Sequence, residues 1–144
     1  MSVPTTEPVR TVARPFARAA LICLEGFVTA GAVFGGVGLI ANNAIGMLPE
    51  WLERTPFTSW FWPGVLLLLI VALPMGAAGF AEITRRSWAF AASLIAGTAQ
   101  IGWIVAQWLI FQRYFVLQPV MLACGIIVVV LAWWVHRAEP LRRR

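Results

Sequence analysis

The sequence predicts an all-α fold: a polytopic membrane protein built as a four-helix transmembrane bundle. Three observations carry that expectation. Of the 144 residues, 60% are hydrophobic and 12% charged, with a mean hydropathy of +0.82; soluble domains are about half apolar and about a quarter charged. The apolar residues gather in four runs, each close to the roughly 20 residues a helix needs to cross the hydrocarbon core. The eleven basic residues are all arginine, and all stand outside those runs.

Residues 1–18 read as a cytoplasmic tail, disordered or interfacial, with Pro4, Pro8 and Pro15 among Arg10, Arg14 and Arg18. The first span is expected over residues 19–41. It is too long for the apolar region of a typical signal peptide and carries one acid, Glu25, so an uncleaved anchor is expected. At about 100° per residue, Glu25, Thr29, Ala32, Gly36 and Asn43 share one stripe. Gly31, Gly35, Gly38 and Asn42 form a second stripe, which holds a G-x-x-x-G pair. Small residues at that spacing let a neighbouring helix approach closely, so these glycines are expected to pack helices.

Glu25 admits two readings. An acid in a span is costly and commonly marks an ion or proton pathway facing the bundle interior. Glu25 also lies only two turns inside the span, where a neutral carboxyl group, headgroup water or a nearby arginine could satisfy it.

Residues 42–59 form a connector in which Met47, Leu48, Trp51 and Leu52 mix with acids, which suits a short interfacial helical turn with Trp51 at headgroup depth. The second span, residues 60–81, opens on Trp60, Phe61 and Trp62, with Pro63 in a first turn where its missing N–H costs nothing. Pro74 lies well inside and should free the carbonyl of Ile70 and kink the helix. Glu82, Arg85 and Arg86 read as a charged turn whose i,i+3 and i,i+4 pairs contribute a few tenths of a kcal/mol.

The third span covers residues 88–111. Ser93, Gly97, Gln100 and Gln107 fall in one stripe, and amides at bilayer depth need partners on other helices. With Glu25 they form the candidate intramembrane polar site: a set of packing hydrogen bonds, or the lining of a path. The fourth span, residues 119–135, ends on the Trp133–Trp134 belt. His136 follows, then a basic cytoplasmic tail over 137–144. Residues 19–136 thus make one transmembrane domain.

Three arginines in the first tail, two after Glu82 and four in the last tail face two in the alternate loops, Arg54 and Arg113. This asymmetry predicts that both termini are cytoplasmic. The net charge of +5 is then a feature of arginines beside spans that meet anionic lipid headgroups, and nucleic acid is not an expected partner. Cys23 and Cys124 lack C-x-x-C spacing and lie toward opposite leaflets, so no disulfide is expected. One histidine allows neither paired-histidine haem ligation nor a histidine-rich metal site. No catalytic, metal or cofactor set is expected.

Thr55-Pro56-Phe57, Pro63-Gly64 at the head of an apolar span, Gly102-Trp103-Ile104-Val105 and Leu117-Gln118-Pro119 resemble motifs of a group of small four-span membrane proteins of high-GC, actinobacterial-type bacteria. The resemblance covers roughly residues 20–135 and implies the four-span topology and a place in the inner membrane of a bacterial cell. Members of that group often have a glutamate where Gln107 stands. A looser likeness, to the small multidrug exporters, rests on four short spans with one glutamate in the first, and it implies proton exchange at Glu25. The functional expectation is therefore a non-enzymatic accessory or assembly component working with a membrane-protein partner or as a homo-oligomer. The alternative is a small proton-coupled transporter using Glu25.

Overall fold

The structure, a computed structural model, describes residues 9–137, with side chains described from Arg14. The chain is an all-α bundle of four helices long and apolar enough to cross a membrane, with no strand among the described residues. Helix α1 runs Val9–Ile40. The second span, Phe61–Ile83, is composite: α2 (Phe61–Leu67), a π-helical turn (Leu68–Ala72) and α3 (Leu73–Ile83). Helices α4 (Ala89–Phe111) and α5 (Leu117–His136) complete the bundle. The end carrying Arg18, Glu82 and His136 is called the tail end below, and the opposite end the loop end.

Two local expectations are corrected. Residues 9–18 are helical, although the sequence reading placed a loose tail over 1–18; its first eight residues lie outside the described region. Ala17, Ala19 and Ala20 are strong helix formers, and the helix runs through Pro15. The second correction concerns Pro74. The expected local disturbance takes the form of a π turn just before it, with the Leu73 N–H bonding to the Leu68 carbonyl five residues back. Proline cannot donate to the carbonyl four residues earlier, and widening one turn is a recognised way for a helix to absorb such a gap.

The connectors are built from left-handed residues. Helix α1 ends as Asn42 and Asn43 adopt φ of 52° and 57°, a region asparagine tolerates better than most residues. The Asn43 side chain then donates to the Met47 carbonyl at 2.6 Å and accepts from the Met47 N–H at 2.9 Å. A 3₁₀ turn at Pro49–Leu52 follows, as expected for that segment. Gln112, at φ 48°, ends α4. At the start of α5 the Gln118 side chain accepts from the Phe115 N–H at 3.0 Å and from the Trp108 indole at 2.7 Å.

Helices adjacent in the chain are neighbours in space, and α5 returns to α1, so the spans form a closed ring: α1, α2–α3, α4, α5. Helix α1 therefore faces α4 across one diagonal, and α3 faces α5 across the other. Lipid offers little hydrophobic gain for joining helices, so close contact and dispersion must supply it. Two glycine pairs provide the closest approaches. A Cβ on Gly64 would lie 2.7 Å from the Gly36 carbonyl, and one on Gly97 would lie 3.0 Å from the Gly125 carbonyl. The first pair closes α1 on α2, the second α4 on α5. Of the glycines expected to pack helices, Gly31 has no atom within 4 Å of an added Cβ, Gly35 only touches Leu67 at 3.4 Å, and Gly38 meets Ile45 of its own connector. The tight stripe of α1 is the one holding Gly36, because the rotation of α1 turns Gly31 toward open space.

Candidate functional site

The buried face of α1 runs Leu21, Glu25, Val28, Ala32, with Gly36 and Leu39 continuing it. Glu25 occupies a position where every neighbour along the stripe is apolar or small, so its carboxyl group is carried to the bundle axis and is 0% exposed. Ser93 of α4, equally buried, donates to Glu25 Oε1 at 2.6 Å. That bond crosses the α1–α4 diagonal. Glu25 Oε2 has no hydrogen-bond partner among the described residues and packs beside Gly79, where a Cβ would stand 3.7 Å from it. Thr29, the next residue of the predicted stripe, spends its hydroxyl on the Glu25 main-chain carbonyl at 2.7 Å.

One turn beyond Gly79 toward the tail end lies a second buried acid. Glu82 is 1% exposed. Its Oε2 accepts from Arg18 Nε at 2.9 Å, and its Oε1 lies 2.5 Å from His136 Nε2. The first contact joins α1 to α3, and the second crosses the α3–α5 diagonal. His136 also lies against Phe90 of α4, their ring centroids 5.4 Å apart. Both diagonals of the ring are therefore bridged by polar side chains at the tail end, where only groups on the central axis can reach each other.

This corrects the reading of Glu82 as a solvated turn residue. Pairing with Arg85 and Arg86 needs the helix to continue, but α3 ends at Ile83 and Arg85 turns left-handed at φ 52°. Both arginines are exposed. A signal was present in the sequence: Met75, Ala78 and Glu82 share one helical face, as do Val128, Ala132, Val135 and His136 at the end of α5. Arg18 lies seven residues before Glu25 on the same face of α1.

Of the predicted polar site, the structure brings Ser93 to Glu25 and leaves Gln100 and Gln107 elsewhere. They lie seven and fourteen positions beyond Ser93 on α4, about 10 and 21 Å at helical rise. Gln100 is 2% exposed and donates its amide to the Met121 carbonyl at 3.2 Å. Gln107 is half-buried and lines a cavity of about 410 Å³ at the loop end, as does Gln100. Val28 and Val71 lie at the inner end of this space, and Trp60 and Phe111, stacked at 5.8 Å between centroids, stand at its outer end. The axis of the bundle is thus bridged by polar groups at the tail end and hollow at the loop end. The hollow follows from sequence: α1 presents Gly31, Ala32 and Gly35 there, where it presents Leu21 and Glu25 below.

Cys23 is exposed and Cys124 buried, and both are free thiols. No group of three or more metal-ligating side chains occurs among the described residues. Comparison with known protein families, with curated proteins and with solved structures gives no match for this chain.

Proposed function

We propose that the protein is a non-enzymatic component of the bacterial inner membrane, with both termini cytoplasmic, acting as an accessory or assembly subunit beside another membrane protein or a second copy of itself. One observation supports this above others. The interior acids are held by side chains from other helices of the same chain: Glu82 by Arg18 and His136, Glu25 by Ser93. Polar contacts that bridge both diagonals help hold the order and rotation of four short helices, which suits a rigid body presented to a partner. Buried polar contacts of this kind serve specificity of assembly in several systems. Purification in mild detergent with chemical cross-linking should yield a stable complex, homomeric or with a second chain. A strictly monomeric protein with no cross-linked partner overturns this reading. Reporter fusions at both termini should give cytoplasmic signals, and opposite signals would refute the orientation.

A second reading is favoured by Glu25 alone. Its Oε2 is covered and unpartnered, and Val28, one turn along α1, lines the cavity. A buried carboxyl group one helical turn from a residue lining an apolar space is suited to exchanging a proton against a hydrophobic cargo. Under this reading Glu25→Gln abolishes transport while the protein still inserts. Unchanged uptake, efflux and resistance profiles in that variant exclude it.

A further inference from the structure

We infer that the loop-end cavity is a binding site for an uncharged, lipid-soluble molecule carrying a hydroxyl group, with its apolar body in the cavity and its hydroxyl at Gln100 and Trp103. The inference is independent of the role of the tail-end cluster.

The first ground is a set of unmet hydrogen bonds. Four buried side-chain polar atoms lack a partner among the described residues: Glu25 Oε2, Gln100 Oε1, Trp103 Nε1 and Trp60 Nε1. The last three belong to residues that line this one cavity. Leaving such a group unpaired forfeits its hydration without return, and at this depth a membrane supplies no bulk water to pair with them. Gln100 gives one amide hydrogen to the Met121 carbonyl, and its Oε1 is the atom left without a partner, an acceptor. The two indoles are donors only.

The second ground is shape. The cavity, about 410 Å³, falls within the range of roughly 300–1,000 Å³ usual for small-molecule sites. Gly31 contributes no side chain to its wall, and nothing lies within 4 Å of an added Cβ there. Its wall is otherwise mostly apolar, including Val28, Leu39, Leu67, Val71 and Ile104.

The chemistry of the occupant follows. No acid lines the space, and its one charged residue, Arg113, lies in the α4–α5 connector at the loop end, so a charged group is not accommodated at depth. An acceptor and a donor lie one helical turn apart on α4, at Gln100 and Trp103. A hydroxyl donates once and accepts as well, so one group satisfies both. The three atoms are covered by their neighbours in the structure, so the inference requires the Gln100 and Trp103 side chains to turn toward the cavity that their residues line.

The test uses the full chain in lipid nanodiscs and two bromine-labelled probes of equal chain length, a long-chain alcohol and the corresponding alkane. Bromine quenches nearby tryptophan fluorescence. The alcohol should quench saturably and at concentrations about tenfold lower than the alkane, since two hydrogen bonds at roughly 0.5–1.5 kcal/mol each give about that ratio. Gln100→Leu should remove the preference and leave alkane quenching unchanged. Gly31→Leu, which adds a side chain to open space and so leaves helicity by circular dichroism intact, should abolish saturable quenching by both probes. Saturable quenching without preference for the alcohol means an acyl chain alone occupies the space and overturns the hydroxyl assignment. Linear quenching, equal in the native chain and in Gly31→Leu, means the probes report bulk lipid and overturns the site.

Discussion

Consider separating Arg18 from Glu82. The two ends of this ion pair are not equivalent: the Glu82 side chain is 0% exposed and that of Arg18 is 20% exposed. Arg18→Met leaves a carboxylate on the bundle axis with His136 as its one remaining side-chain contact of those described above, and breaking a buried pair in this way costs about 3–5 kcal/mol. Glu82→Leu leaves the guanidinium instead. Arg18 lies near the membrane end of α1, and a long cationic side chain can turn its head toward interfacial water, so this change should cost less, about 1–2 kcal/mol on the same scale. The double variant replaces the pair by apolar side chains of similar size. It should be more stable than the sum of the single changes by about 0.5–3 kcal/mol, the range for groups in direct contact. The assay is reversible unfolding from mixed detergent micelles followed by helical circular dichroism, where 1.4 kcal/mol is a tenfold change in the unfolding constant. Ordinary hydrogen bonds between transmembrane helices average about 0.6 kcal/mol. If Arg18→Met costs no more than that, or if Glu82→Leu is the worse of the two, the reasoning about an inaccessible carboxylate fails.

The glycine contacts make two further predictions. Gly64→Ala places a methyl group 2.7 Å from the Gly36 main-chain oxygen, which backbone can relieve only by moving, so it should cost about 1–3 kcal/mol; Gly102→Ala meets nothing within 4 Å and should be neutral or slightly stabilising. The same unfolding assay separates them, and equal effects would contradict the described packing. Ser93→Ala removes the one side-chain hydrogen bond that Glu25 receives. It should destabilise the bundle by about 0.6–1.7 kcal/mol, the average-to-maximum range for such bonds in membranes. A Ser93→Thr chain, which keeps the hydroxyl, should recover most of the loss; if it does not, packing at this position outweighs the bond.

Much of the architecture is written in local chemistry. Four apolar runs fix the number of spans, and Trp60, Asn42 and Asn43 mark where helices begin and stop. Arginine placement separates the loops into two classes before any contact is known. The burial of Glu25 is also legible, because the residues one and two turns away on its face are apolar or small. The pairing of Glu25 with Ser93 was readable only as a possibility of depth: both lie about two turns from the same end of the bundle. Gln100 and Gln107 share the Ser93 stripe at successive depths along α4, so they continue it toward the loop end without meeting Glu25.

What the amino acids determine without tertiary structure is thus the membrane-spanning topology and which faces are too polar for lipid. Glu82 shows what they leave open. Its local partners, Arg85 and Arg86, are within reach only if the helix continues, and its actual partners, Arg18 and His136, are 64 and 54 residues away. Whether such residues meet depends on the order and rotation of the four helices around the ring. That arrangement is held both by close backbone approach, at Gly36 with Gly64 and Gly97 with Gly125, and by the polar bridges at the tail end. Helical periodicity constrains each span alone; the bridged diagonals at one end and the hollow axis at the other exist only once four spans are assembled.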